Sequence, residues 1–240
     1  LGLAILEGYG LTETLGPISV NLDWRNKVGT VGPPVCGGRA RVSADGEIEV
    51  RGMSVFSHYH NNPAADAEAF TPDGWFRTGD IGSIDSDGWI RITGRKKELI
   101  VTAGGKNVAP AILEDRLRGH PLISQVLVIG DGEPFISALI TLDREMLPGW
   151  LHNHGLPEMG VVEASTNPQV LAALDRAVAR TNRAVSRAES IRTYRVLTND
   201  FTEANGLLTP SLKVKRNQVM KEYADTIADI YASTRKGPQE

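Results

Sequence analysis

The chain of 240 residues has a single cysteine, Cys36, so no disulfide can form within it. Without a second cysteine or a paired Cys/His spacing, a structural zinc site is not expected either. Proteins with so little cysteine are typical of reducing compartments. We therefore expect a cytoplasmic location.

Long apolar runs and a strong net charge are also lacking. No apolar run reaches the roughly 18 to 20 residues that a membrane-spanning helix needs. Peripheral association with the inner face of a membrane stays compatible with the sequence. The 26 Lys and Arg residues nearly balance the 29 Asp and Glu residues. A net charge of −3 provides no positive field that could attract nucleic acid, so we expect no nucleic-acid partner.

The chain begins with an apolar run at residues 1–6 that leads directly into Gly8 and does not start with Met. This run is short and lacks the basic flank of a signal peptide. It is typical of an internal strand. We therefore expect the chain to be the C-terminal portion of a longer protein.

Residues 1–93 are predicted to be rich in β-structure. Residues 39–43 and 47–51 alternate about an Asp-Gly turn, which indicates a hairpin. A second hairpin is predicted from residues 76–84 and 89–93. Because an isolated hairpin is only marginally stable, both require further partners.

From Gly94 the pattern changes to mixed helix and strand, which predicts an α+β fold with a second domain at residues 94–240. Apolar residues recur at helical spacing between Val170 and Val185. Further helices are predicted at 109–118 and as one last helix through residues 219–230, and strands at 125–129, 136–142 and 191–197.

The stretch from Asp143 to Pro168 contains several Gly and Pro residues, which predicts an irregular surface insertion. It includes His152 and His154, which invite interpretation as metal ligands. Because no carboxylate or thiol set accompanies them, we favour ordinary surface histidines.

The first motif with chemical potential is Gly-Tyr-Gly-Leu-Thr-Glu-Thr at residues 8–14. Gly8 and Gly10 allow close approach of a planar ligand, and Tyr9 offers a ring on which a base can stack. Thr12 and Glu13 add the hard oxygens that Mg²⁺ prefers. The alternative is a Gly-rich strand-to-helix turn with a threonine as its N-cap.

The second motif, Gly-Trp-Phe-Arg-Thr-Gly-Asp, ends at Asp80. A glycine turn at Gly79 can present the Asp80 carboxylate to vicinal ribose hydroxyls, the task of an acidic residue in dinucleotide-binding folds. The alternative is a carboxylate that only caps a turn. Trp75 and Phe76 are interpreted as core residues.

The third motif, Gly-Arg-Lys-Lys-Glu at residues 94–98, lies where the pattern changes. A glycine beside cations is compatible with a hinge near residues 94–97 and with an anion contact by Arg95, although such runs are often solvated faces. Shortly afterwards, Gly104 and Gly105 precede a helix that begins at a proline. Because glycines carry no side chain, the backbone at these two positions could line a narrow channel.

The fourth motif is Leu-Thr-Pro-Ser-Leu-Lys-Val-Lys-Arg at residues 208–216. A lysine here can stabilise negative charge that develops on a phosphoryl oxygen. Composition does not distinguish Lys213 from Lys215 or Arg216.

The four motifs in this order resemble the acyl-adenylate-forming superfamily, and most closely its long-chain fatty acyl-CoA synthetases. The resemblance implies that Tyr9 stacks on adenine between Gly8 and Gly10, and that Thr12 and Glu13 serve the ATP phosphates and Mg²⁺.

The same resemblance implies that Asp80 and Arg95 contact the ribose, and that Lys213 bridges the α-phosphate and the acyl carboxylate. Gly104 and Gly105 would approach the pantetheine arm of CoA. The implied activity is a ligase that adenylates a fatty acid with ATP, forms the CoA thioester, and moves its small C-terminal domain between these steps.

Two positions depart from the family pattern. Gly94 stands where many relatives have a hinge Asp, and Ser-Leu-Lys at residues 211–213 stands where many have Ser-Gly-Lys. The phosphate loop and most of the acyl pocket lie upstream in the family, so we expect this span to be inactive alone.

Two alternatives to the CoA ligase are kept. A fatty acyl-AMP ligase would pass its acyl group to a carrier protein; such relatives carry an insertion after the hinge, and none is evident between Lys97 and Pro110. A binding module without catalytic activity is the other. The candidate residues being in place argues against it.

Overall fold

A computed structural model describes residues 2–235, which form two compact units. The first unit extends to Glu98 and the second begins at Leu99. The predicted boundary between residues 93 and 94 lies within the last strand of the first unit. The two-domain assignment and the hinge at residues 94–97 stay predictions.

The first unit is rich in strands, as the sequence predicted. Its described residues form one short α-helix and two 3₁₀ turns, at Thr12–Thr14 and Lys96–Glu98. Its elements are β1 (Gly8–Leu11), β2 (Gly16–Val20), β3 (Arg39–Val42), β4 (Glu47–Arg51), α1 (Pro63–Ala69), β5 (Phe76–Ile84) and β6 (Ile90–Arg95).

The two predicted hairpins of this unit pair with each other through β4 and β5. Strands β3, β4, β5 and β6 form one antiparallel sheet in that order, while β1 pairs separately with β2. The turn of each hairpin contains an Asp-Gly pair, and its glycine, Gly46 or Gly88, has a positive φ. The sheet buries Ile48, Val50 and Phe76, so Phe76 is a core residue.

The second unit combines a sheet with helices, which confirms the α+β class. Its elements are β7 (Ile100–Val101), β8 (Asn107–Val108), α2 (Pro110–Arg118), β9 (Ile123–Ile129), β10 (Ile136–Leu142), α3 (Met146–Asn153), α4 (Val161–Ala164), α5 (Pro168–Asn182), β11 (Ile191–Leu197), α6 (Arg216–Glu222) and α7 (Ala224–Arg235).

A three-stranded sheet forms the centre of this unit. β10 lies between β9, which is antiparallel to it, and β11, which is parallel to it. Every residue of β10 is buried, including Ser137 and Thr141, as expected for a strand with both faces covered. The stripe on α5 also packs into the core, through Val170, Leu174 and Val178.

The predicted insertion after Asp143 is not an irregular surface segment. It contains α3 and α4, and its apolar residues Leu147, Leu151 and Met159 are buried in the same core as α5. The Gly and Pro residues punctuate short helices here, because burial of these side chains outweighs low helix propensity. His152 and His154 are exposed, and the His154 ring stacks on Trp150.

The single last helix was also predicted wrongly. It divides at Tyr223, whose φ of −105° and ψ of 27° end α6 before α7 begins. Because Val219, Ile230 and Tyr231 all enter one core cluster, the apolar spacing continues across the break. Spacing alone therefore could not reveal it.

An ion pair between the partly exposed Arg216 and the buried Glu114 fixes the start of α6. Arg216 Nη1 lies 2.6 Å from Glu114 Oε1, and Arg216 Nη2 donates to the carbonyl of Val128 at 2.6 Å. The same Glu114 oxygen accepts from the backbone amide of Val128 at 2.8 Å. This network joins α2, β9 and α6.

We predict that Arg216→Met lowers the free energy of unfolding of the second unit by about 3 kcal/mol, because it leaves the Glu114 carboxylate buried without its partner. Arg118→Met is the matched control, since Arg118 pairs with Asp115 at an exposed position where the loss is below about 1 kcal/mol. Urea denaturation followed by circular dichroism measures both. Equal shifts would contradict the assigned role of Glu114.

Candidate functional site

A groove of about 1620 Å³ opens on the first unit, larger than the roughly 300–1,000 Å³ of typical small-molecule pockets. Six of the residues that the sequence nominated line it: Gly8, Tyr9, Gly10, Thr12, Glu13 and Arg95.

The first motif forms β1 and a tight 3₁₀ turn at Thr12–Thr14. A Cβ at Gly10 would lie 2.2 Å from the carbonyl oxygen of Gly16, so only glycine fits beside β2. Thr12 is not the N-cap of a helix; the buried Thr14 instead accepts from the amide of Leu11 at 2.8 Å. This arrangement leaves Thr12 exposed at the groove.

Asp80 connects three strands around the groove. Its Oδ2 accepts a hydrogen bond from the Tyr9 hydroxyl, and its Oδ1 lies 2.9 Å from Arg95 Nε. Asp80 is only 3% exposed, and burial raises the pKa of its carboxyl, which Tyr9 and Arg95 oppose. A carboxylate has about four lone-pair sites, so it can still accept from ligand hydroxyls.

Asp80 is presented by a bulge within β5 rather than by a simple turn. The pairing register of β4 with β5 shifts between Glu47 and Glu49, so that the three residues 78–80 lie opposite the single residue Ile48. Gly79 has a φ of 72° at this point, which glycine adopts without steric cost. Bulges commonly re-aim a side chain beside a functional site.

Glu47 supports this bulge, and the sequence analysis missed it. Its buried carboxylate accepts from the Gly79 amide at 2.8 Å and from Lys96 Nζ at 2.8 Å. Lys96 also pairs with Asp45 at 2.6 Å and thereby lowers the pKa of Asp45 to about 2. The sequence did offer one indication of this role: Glu47 is a carboxylate at the start of the alternating strand β4.

Glu13 offers carboxylate oxygens beside the exposed Thr12 hydroxyl. Within residues 2–235, no group of three or more His, Cys, Asp or Glu residues could hold a metal alone. Glu13 and Thr12 do fit Mg²⁺ in another way, because this ion is usually held by one or two carboxylates together with substrate phosphates.

The remaining nominated residues belong to the second unit, and their relation to the groove stays a prediction. Gly104 and Gly105 lie in the exposed turn between β7 and β8, where Gly105 has a φ of 75°. Lys213 is exposed in a turn that closes on Thr209, whose amide donates to the Lys213 carbonyl at 2.8 Å.

Leu212 occupies the position at which many relatives of the resembled family have glycine. Its φ of 61° is left-handed, a conformation that glycine adopts freely and other residues adopt at a cost of roughly 1–2 kcal/mol. Leu212 therefore takes a backbone conformation that a glycine would adopt freely.

Comparison with known proteins places these features in a family. Residues 97–235 match the model of the AMP-binding enzyme C-terminal domain. The long-chain-fatty-acid–CoA ligase FadD15 of Mycobacterium bovis is 55% identical over 96% of this chain. The long-chain-fatty-acid–CoA ligase ACSBG2 of Gallus gallus is 36% identical over 97% of it.

This chain spans 38% of the length of the first relative and 33% of the second. Among solved structures, the ATP-bound RpMatB-BxBclM chimera B1 is 29% identical, with a TM-score of 0.67. The alignment covers 93% of this chain and 42% of the chimera's chain. Because the domain match takes in more than half of the sequence, the chain belongs to the family of AMP-binding enzymes and carries their C-terminal domain.

Proposed function

We propose that the full-length protein is a long-chain fatty acid–CoA ligase that uses ATP and Mg²⁺. The observation that carries this proposal is that Tyr9, Arg95, Thr12 and Glu13 line one groove. The buried Asp80 lies behind it, bonded to Tyr9 and paired with Arg95. An aromatic ring, a held carboxylate and hard oxygens are the groups that a magnesium nucleotide requires.

The nucleotide end of the groove is assigned to Tyr9 and Asp80. The Tyr9 ring would stack on adenine between Gly8 and Gly10. Its hydroxyl donates to Asp80, which fixes the ring and orients the carboxylate toward the ribose hydroxyls. Arg95 neutralises the same carboxylate and would contact the ribose.

Thr12 and Glu13 are assigned to Mg²⁺ and the ATP phosphates. The ion would neutralise charge on the phosphates during displacement of pyrophosphate. Glu13 supplies a carboxylate oxygen and Thr12 a hydroxyl, and both line the groove.

In the proposed reaction a fatty acid carboxylate oxygen attacks the α-phosphorus of ATP, and the bond to the pyrophosphate oxygen breaks. The CoA thiolate then attacks the acyl carbon, and AMP leaves with the bonding electron pair. Lys213 would stabilise the charge of the first step. Gly104 and Gly105 would line the path of the pantetheine arm in the second step, after domain rotation about residues 94–97.

The choice of substrates is supported by relatives. FadD15 and ACSBG2 are both named as long-chain-fatty-acid–CoA ligases, which favours a long-chain fatty acid and CoA. The uninterrupted segment between Lys97 and Pro110 favours CoA over a carrier protein as the acyl acceptor.

A cytoplasmic location is proposed from the single cysteine, Cys36, and association with the inner face of a membrane is a further proposal that suits a fatty acid substrate. In the described part of the chain, no helix has both the length and the apolar character needed for a membrane crossing.

An activity assay of the full-length protein tests the proposal directly. With ATP, Mg²⁺, CoA and carboxylic acids from acetate to long fatty acids, we expect AMP release and thioester formation to be greatest with long chains. Adenylate without thioester would identify an acyl-AMP ligase. No turnover with any acid would identify a binding module.

Lys213→Ala tests the assigned catalytic lysine. We expect adenylation, measured as pyrophosphate release, to fall at least about 100-fold, the usual effect of removing an oxyanion-stabilising donor. Thioester formation from supplied acyl-AMP should be unchanged. Lys215→Ala, which removes another exposed lysine of this segment, is the control; equal losses in both variants would remove Lys213 from its role.

Tyr9→Ala tests the adenine contact. Loss of one base-stacking ring costs about 1–3 kcal/mol, so AMP should bind roughly 10- to 100-fold more weakly in titration calorimetry. Tyr9→Phe keeps the ring and loses only the hydrogen bond to Asp80, so it should bind AMP more tightly than the alanine variant. Equal affinity of the two variants would argue against stacking.

A further inference from the structure

Tyr59, which the proposed function leaves without a role, contacts the candidate metal ligand. Its hydroxyl donates to Glu13 Oε1 at 2.9 Å. Close by in sequence, the amide of Phe56 donates to the backbone carbonyl of Glu13 at 2.8 Å. The segment after β4 therefore holds Glu13 at two points, one on the backbone and one on the side chain.

Tyr59 is itself held in place from two directions. Its ring packs edge-on against Phe56 with centroids 4.6 Å apart, and Phe56 packs against the core of the first unit. Its backbone amide donates to Asp66 Oδ1 on α1 at 2.7 Å. A hydroxyl on so constrained a residue can fix the orientation of the carboxylate that it contacts.

The Tyr59 hydroxyl occupies one of the two carboxylate oxygens of Glu13. It donates its hydrogen bond to Oε1. In the described residues, the structure records no hydrogen bond or ion pair at Glu13 Oε2, so this oxygen is left for a cation, and Glu13 lines the groove.

We propose that Tyr59 is a positioning residue that orients Glu13 to bind Mg²⁺ through its other oxygen. The inference rests on the proposed function, in which Glu13 is a metal ligand. Carboxylates that ligate metals are themselves hydrogen-bonded, and loss of such a partner typically weakens metal affinity about 10- to 100-fold. Tyr59 fits this description because it contacts the carboxylate and not the reacting atoms.

The test is Tyr59→Phe in the full-length protein, with Mn²⁺ as the probe. Free Mn²⁺ is measured by electron paramagnetic resonance in the presence of ATP and without a fatty acid, so that no turnover occurs. We expect Mn²⁺ to bind about 10-fold more weakly. AMP affinity without metal should stay unchanged, because the Tyr9 contacts are intact.

Tyr194→Phe is the matched control, since it removes a hydroxyl that donates to the carboxylate of Asp175 at 2.7 Å in the second unit. It should leave Mn²⁺ binding unchanged. If Tyr59→Phe behaves like this control, or weakens metal-free AMP binding as much as Mn²⁺ binding, Tyr59 is only a structural tie and the inference is overturned.

Glu13→Gln separates this inference from the function on which it rests. If the Gln variant binds Mn²⁺ more weakly and Tyr59→Phe does not, only the role of Tyr59 is wrong. If the Gln variant binds Mn²⁺ as the unmodified protein does, the metal role of Glu13 in the proposed function is wrong and the inference is overturned with it.

Discussion

The buried carboxylate of Asp80 is the constraint on which the groove of the first unit depends. A buried charge is costly unless it is paired and hydrogen-bonded, and Asp80 meets this requirement by recruiting Tyr9 from β1 and Arg95 from β6. The pairing joins the separate β1–β2 ribbon to the four-stranded sheet. It also places the Tyr9 ring at the lip of the groove, so that stability and ligand binding share the same contacts.

The cluster extends through the bulge in β5. Glu47 accepts from the Gly79 amide, which the bulge would otherwise leave unpaired, and holds Lys96 with its other oxygen. Lys96 lies in the segment proposed as a hinge. The buried Glu47 carboxylate therefore binds both the bulge that aims Asp80 and the segment proposed as a hinge. A rearrangement that moved Lys96 away from Glu47 would break this ion pair.

The second unit uses a similar device to present an exposed lysine. The turn that carries Lys213 is closed by hydrogen bonds with Thr209, and Arg216 anchors its far end to Glu114 in the core. Leu212 takes the left-handed conformation within it. The long side chain of Lys213 is thus exposed on a hydrogen-bonded turn, which suits a residue proposed to reach a substrate only in one step.

Much of this molecule follows from sequence alone. Asp-Gly turns, alternating strands and the apolar stripe on α5 act through local geometry and side-chain spacing, so the hairpins, the α+β class and the short motifs could be predicted. The residues that support the site could not. Tyr59 and Glu47 lie 46 and 33 positions from Glu13 and Asp80 (59 − 13 and 80 − 47), and only tertiary contacts bring such distant polar groups together. The helices within residues 143–168 likewise depended on burial, which local Gly and Pro content does not report.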